Sequence, residues 1–170
     1  MKTARLATCM AAAAILAGCS GSDTLMGRGV TDGQQGVVEE TTLQDFSLDS
    51  PEYFTSLIGD RVFFDVDSTA VTSEAALILE QQAQWLNQNP EFSVTLEGHA
   101  DEQGTREYNL ALGARRASAV RDFLVGLGVA DHRISTVTFG KERPVAVCSN
   151  ESCWSMNRRA VTGLSRVAAG

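Results

Sequence analysis

Lysine is almost missing from this chain: Lys2 and Lys141 are its only two in 170 residues. Chemistry that needs a lysine nucleophile or a phosphate-clamping lysine therefore has at most one candidate in the folded part. Basic charge as a whole is scarce, 14 Lys and Arg against 21 Asp and Glu, for a formal net charge of −7. Broad binding to nucleic acid is supplied mainly by Lys and Arg facing phosphates, so that class is excluded. Two histidines and four cysteines are a thin stock for a metal centre. Length is limiting too: with domains of roughly 100–150 residues, there is room for one domain and something smaller, not for a multidomain enzyme. No nucleophile, base and oxyanion arrangement is visible, and the chain reads as a non-enzyme without cofactor or metal.

An apolar run long enough to stay in a bilayer is also lacking. Residues 6–17 are apolar except for Thr8, follow Lys2 and Arg5, and end in small residues, which is the layout of a secretory signal peptide rather than a permanent span. Leu16-Ala17-Gly18-Cys19 resembles the lipobox of bacterial lipoproteins. The resemblance implies cleavage before Cys19, diacylglycerol on its sulfur, and, with Ser20 rather than Asp after it, sorting to the periplasmic face of the outer membrane. Loss of residues 1–18 removes Lys2 and Arg5 and takes the formal charge from −7 to −9. Cys9 leaves with the signal and Cys19 carries lipid, so Cys148 and Cys153 remain as an even pair in an oxidising compartment, and a disulfide between them is expected.

Residues 20–50 are rich in Gly, Ser, Thr, Gln, Asp and Glu, with only scattered apolar positions; such a stretch cannot bury enough surface to offset its ordering entropy. Residues 19–50 therefore read as a lipidated N-terminus and tether, and a coil of that length spans roughly 30 Å. The domain is expected over residues 51–170. Residues 61–66 (RVFFDV) form an apolar, β-prone run. Ser73 can cap a helix ending before Pro90, with Ala76, Leu79, Ala83 and Leu86 on one stripe. Residues 93–99 alternate as a half-buried strand does, residues 106–127 form a second helix closed by Gly126 and Gly128, and residues 134–139 and 159–164 are further strands. The order β-α-β-α-β-β, with a mixed four-stranded sheet, predicts an α/β (α+β) two-layer sandwich.

Two charged positions stand out. Leu112, Val120, Phe123 and Leu127 form the apolar stripe of the second helix, and Arg116 lies on it, i+4 from Leu112 and i−4 from Val120. A guanidinium aimed at the sheet needs a carboxylate in fork geometry, either from the protein as an internal salt bridge or from a ligand. Asp101 lies where a strand exits toward that helix, a common gathering place for ligands in α/β layers. It can cap local amides in an Asx turn, receive an ammonium, or pair with Arg116.

The run EGHADEQGTREYNLALGARRASAVRDFL, followed by ISTVTFGKERPVA and NRRAV, closely resembles the OmpA-like peptidoglycan-binding domain over residues 58–165. With the lipobox, FFDVDS and TFGKERP, the whole chain resembles the lipid-anchored members of that family that serve the Gram-negative Tol–Pal system in envelope integrity and cell division. The resemblance implies that Asp101 and Arg116 read the ammonium and carboxylate of meso-diaminopimelate in peptidoglycan stem peptides. It also implies a surrounding loop of Phe64, Asp65, Asp67 and Ser68, helix residues Tyr108, Asn109 and Leu112, and support from Arg158, for which a solvated strand edge is the other reading. TolB and other Tol proteins are the implied partners, besides peptidoglycan and the outer membrane. The cysteine loop before Asn157 is a departure that many relatives lack.

Three rival readings are weighed against this one. A lipid-anchored wall-binding protein of a secretion system or motor would share the peptidoglycan prediction and differ for TolB. Asp65-Val66-Asp67-Ser68-Thr69 matches a D-x-D-x-T phosphatase signature, but Lys141 is followed by no acidic pair. Glu97, His99 and Asp101 could be imagined as zinc ligands of a small hydrolase, although a lone histidine beside two carboxylates is more often a hydrogen-bonded surface group.

Overall fold

The computed structural model describes residues 46–166; the signal sequence, Cys19 and most of the tether lie outside the described residues. Two elements prepare the first strand. A short helix α1 (Pro51–Tyr53), capped by Ser50, runs into a wider turn of π-helix (Phe54–Gly59) and then β1 (Arg61–Phe63). There follow α2 (Ser73–Gln88), β2 (Phe92–His99), α3 (Arg106–Gly126), a 3₁₀ turn (Asp131–Arg133), β3 (Ile134–Gly140), α4 (Glu151–Asn157) and β4 (Arg159–Arg166). The sheet order is β1-β4-β2-β3, with β2 and β3 parallel and the other two pairs antiparallel. The expected mixed four-stranded α+β sandwich is thus the fold, with α4 as an addition. Among the described residues no helix is long and apolar enough to cross a membrane.

Local chemistry explains the boundaries. Thr72, not Ser73, caps α2: its side chain accepts from the Ala75 N–H at 3.2 Å. Thr105 caps α3 through the Tyr108 N–H. The first strand stops at Phe63, three residues before the apolar run ends, because Asp67 takes a positive φ of 53° and turns residues 64–72 into a loop. On α3 the residue that fills the core near the C-terminus is Leu124, fully buried, while Leu127 is 39% exposed; Leu127 has left the helix as its C-cap and cannot follow the stripe.

One core lies between helices and sheet. Phe54, Trp85 and Phe92 stack in series, with centroids 5.0 and 5.1 Å apart, beside Leu79, Leu86, Leu96, Val120 and Leu124. Trp85 Nε1 donates to the Leu48 carbonyl at 2.7 Å, so residues 46–50, expected in the tether, are joined to the domain. Arg133 donates to the carbonyls of Leu86, Asn89 and Phe92 at 2.8–3.0 Å, tying off the open end of α2 and the turn into β2.

Helix meets sheet most intimately where α3 crosses β2. A Cβ built on Gly98 would stand 1.8 Å from the Gly113 carbonyl oxygen, and one on Gly113 would stand 2.5 Å from Thr138 Oγ1 and 2.7 Å from the Gly98 carbonyl oxygen. Backbone touches backbone there, which only glycine allows. We predict that Gly98→Ala destabilises the fold by about 3 kcal/mol or more, because a main-chain oxygen cannot step aside. Thermal unfolding checks this, against no fall and a gain of up to about 1 kcal/mol expected for Gly126→Ala, at a helical position where a Cβ would meet nothing within 4 Å.

Candidate functional site

The Gly98–Gly113 approach lowers α3 onto the sheet, and Arg116 lies one turn farther along. Its side chain is completely buried. No carboxylate bonds to it. Nε donates to the Ser68 carbonyl at 2.9 Å, Nη1 to the His99 carbonyl at 2.9 Å and Nη2 to the Asp65 carbonyl at 3.1 Å. The expected internal fork to a carboxylate is therefore replaced by three backbone oxygens, two from the β1–α2 loop and one from the end of β2. They lie where strands give way to turns, past the end of β1 and at the last residue of β2. Phe64 covers the guanidinium, its ring centroid 5.2 Å from Cζ. Burial pushes the Arg116 guanidinium down to about 10, against the field of Asp101, which raises it.

Asp101 is buried at the exit of β2. Its Oδ1 accepts from the Gln103 N–H at 3.2 Å, the Asx turn that the residue type allows. Its Oδ2 accepts from Arg158 Nη1 at 3.2 Å. Asp101 thus pairs with Arg158 rather than with Arg116. Arg158, almost fully buried, also donates from Nε to the Phe64 carbonyl and through both terminal nitrogens to Glu151, so a solvated strand edge does not describe it.

Asp101 opens onto a pocket of about 200 Å³ lined by Val66, Asp67, Gln103, Gly104, Tyr108, Asn109 and Leu112 as well. Four of the residues singled out around the ligand, Asp67, Tyr108, Asn109 and Leu112, meet there. Tyr108 donates its hydroxyl to Asp67, a bridge between α3 and the β1–α2 loop. Asn109 Nδ2 donates to the Gln103 carbonyl at 2.6 Å, while its buried Oδ1 has no partner. Phe64 and Asp65 instead line a larger, apolar groove of about 460 Å³ with Phe63, Ile78, Met156 and Arg158. That groove contains neither Asp101 nor Arg116. Ser68 contributes its carbonyl to Arg116.

Asn157 and Lys141 lie in stretches that the sequence marked, NRRAV and TFGKERP, but their roles in the arrangement did not show there. Asn157 accepts from the N–H groups of Val145 and Ala146 and donates to Glu102 at 2.6 Å. Lys141 donates to the Gly104 carbonyl at 2.7 Å and bonds the loop that carries Asp101. Cys148 and Cys153 form the expected disulfide, and it closes the loop from which α4 starts, with Asn150 as cap.

The imagined zinc set is not assembled. His99 Nε2 stands 3.6 Å from Glu97, Asp101 faces Arg158, and among the described residues no group of three or more His, Cys, Asp or Glu could hold a metal. The His99 ring, 2% exposed, packs against Phe139, and neither nitrogen has a hydrogen-bond partner. Burial, then the charges of Arg159 and Arg143, lower its pKa to about 4.

Comparisons with known proteins agree with this geometry. The sequence profile described as the OmpA family matches residues 63–158, more than half of the chain. The peptidoglycan-associated lipoprotein of Mesorhizobium japonicum is 63% identical over 116 residues, covering 68% of this chain and 69% of that protein. That of Rhizobium meliloti is 60% identical over 115 residues, covering 68% and 65%. The crystal structure of the peptidoglycan-associated lipoprotein from Burkholderia pseudomallei is similar at a TM-score of 0.65 and 41% identity, over 68% of this chain and all of that one. A C-terminal domain of Helicobacter pylori MotB, 22% identical with a TM-score of 0.59, over 64% of this chain and 86% of that domain, shares the fold. The fold and the converging Asp101 loop and α3 define a domain of the OmpA class, and the chain belongs to the OmpA family, in its group of peptidoglycan-associated lipoproteins.

The buried imidazole gives a pH prediction. His99 is neutral in the fold and titrates near 4, below its unfolded value of about 6.5. The unfolded chain therefore binds more protons between these values. The contribution is full above pH 6.5 and is lost as pH falls toward 4. Urea unfolding over that window should show a loss of about 1–3 kcal/mol, reduced from the full shift by solvent screening. His99→Phe should flatten the slope; an unchanged slope would mean that other groups carry it.

Proposed function

We propose that this protein binds peptidoglycan non-covalently through the diaminopimelate residue of uncross-linked stem peptides, and that it links the outer membrane to the wall through a lipid on Cys19. The observation that carries this reading is the convergence on one pocket of a buried carboxylate, Asp101, and an unpartnered acceptor, Asn109 Oδ1, with the Arg116 cation behind it. An amino-acid terminus presents an ammonium and a carboxylate on one carbon. One acceptor and one fork-shaped donor read both charges and their handedness. Three of the five guanidinium N–H donors of Arg116 bond backbone oxygens, which leaves two for a ligand carboxylate.

Names of relatives support the ligand class: the similar proteins from Mesorhizobium and Burkholderia are peptidoglycan-associated lipoproteins. On this reading the protein is a mechanical link and not an enzyme. It acts in the Tol–Pal system during division, with TolB as a partner for an overlapping surface. Affinity at one site is modest, since charges on both sides must be desolvated. A wall with many copies of the ligand raises occupancy through effective concentration.

The test is co-sedimentation of the full-length chain, purified in detergent, with isolated sacculi. Wild type is expected to pellet and free meso-diaminopimelate to release it, while Asp101→Asn weakens binding by about tenfold or more with an unchanged fold. Arg116 must be probed as Arg116→Lys, because truncation would strand the buried His99 carbonyl, release the loop carbonyls of Asp65 and Ser68 and leave a core void, at a cost of about 3 kcal/mol or more of stability. Folded variants that pellet like wild type would overturn the assignment. TolB added to the bound protein should release it, and a motor or secretion anchor would not respond.

A further inference from the structure

Arg158 presents a fork to one carboxylate and a single bond to another, and the choice is informative. Both terminal nitrogens engage Glu151, whereas Asp101 receives one contact from Nη1 at 3.2 Å. Nε is committed to the Phe64 carbonyl at 3.2 Å, so the guanidinium is anchored and has one fork to assign. Bidentate pairing with a carboxylate is the strongest arrangement open to arginine. Given to Asp101, it would neutralise the acceptor and occupy its oxygens. Glu151 takes that fork instead. Asp101, Arg158 and Glu151 together carry a net charge of −1; Asp101 and Arg158 alone would carry zero.

We infer that Glu151 is a positioning and specificity residue for the ammonium half of the ligand, holding Arg158 off Asp101 so that Asp101 keeps its negative charge for the incoming cation. The inference rests on the diaminopimelate reading of the Asp101 pocket and adds to it a residue outside that pocket. Glu151 is held in place by its own local structure: it opens α4, whose Asn150 cap accepts from the Ser152 N–H at 3.0 Å, and the Cys148–Cys153 bridge closes the loop around it. The departure that the cysteine loop represents thereby acquires a role. It fixes a carboxylate where it can compete for Arg158. Without Glu151, an arginine 4% exposed would have Asp101 as its remaining carboxylate and would turn its fork onto it.

The experiment measures direct binding of meso-diaminopimelate, and of pimelate, the same diacid without amino groups, to full-length wild type, Glu151→Gln, Glu151→Asp and Asp101→Asn in detergent by titration calorimetry. Glu151→Gln is expected to weaken meso-diaminopimelate binding by about two- to fivefold, the range of a partly exposed charge. Pimelate binding and the thermal midpoint should not change, and Glu151→Asp should restore most of the loss. Equal meso-diaminopimelate affinities of wild type and Glu151→Gln would overturn the inference while leaving the site reading intact, provided Asp101→Asn binds about tenfold or more weakly. Parallel losses for both ligands would also overturn it, since they would indicate a merely structural helix. Where pimelate binds too weakly to read, the Asp variant decides: recovery supports the inference and a loss equal to that of Gln overturns it. If wild type binds no meso-diaminopimelate, the site reading falls and this inference with it.

Discussion

The structure turns on one buried guanidinium. Arg116 draws together the carbonyls of Asp65, Ser68 and His99, two from the loop after β1 and one from the last residue of β2. Desolvating an arginine is costly, and it is tolerated when the donors are satisfied and when the acceptors would otherwise be orphans. The first holds for all three bonded donors and the second for the buried His99 carbonyl, while the Asp65 carbonyl also accepts from the Ser68 N–H at 3.2 Å. The loop after β1 has no regular structure of its own from residue 64 to 72, yet Arg116 holds it at two points. The contact exists because Gly98 and Gly113 let α3 approach β2 until main-chain atoms touch. A side chain at either position would lift the helix and with it the loop.

A second arginine governs the polar side of the pocket. Arg158 joins the end of β1, the Asp101 loop and the start of α4, while Asn157 beside it ties the Val145–Ala146 backbone to Glu102. The short α4 and its disulfide are therefore part of the framework that orients Asp101. Arg116 and Arg158 carry like charges and each feels the other: Arg158 lowers the pKa of Arg116, and Asp101 raises it. Asp101 is the screen between the two cations, which is a reason for a carboxylate at that position whether or not a ligand is present.

Much of this was legible in the sequence because it rests on periodicity and punctuation. The two long helices, the three main strands and the four-stranded mixed sheet follow from apolar spacing, from Ser73 ahead of the first helix and Pro90 behind it, and from Gly126 and Gly128 behind the second. Arg116 was visible as a charge on an apolar stripe. Its partners were not, since backbone carbonyls leave no mark in a sequence, and the expectation of a carboxylate followed from side chains being all that a sequence displays. Asp101 was visible as a turn residue, but its bond to Arg158 spans 57 residues and is fixed by sheet register. The helix α4 is 7 residues long, too short to show a period, and Leu127 departs from the expected core because the stripe of α3 does not continue past its cap.

The division of labour between the two arginines bears on affinity. A site whose charges are already satisfied is stable when empty but must break existing bonds to bind, whereas a site with free charges is costly to fold and binds tightly. Asp101, with one bond to Arg158 and one to the Gln103 N–H, has retained acceptor capacity. Arg116, with three bonds, has retained two donors. Each is partly engaged, and the Asp67–Tyr108 bridge lies on the wall of the Asp101 pocket. On the proposed reading this balance favours reversible capture: enough free valence to recognise a zwitterion, and enough internal bonding to release it. Such a link yields and re-forms along a polymer of repeated ligands, which a tightly held, irreversible contact would prevent.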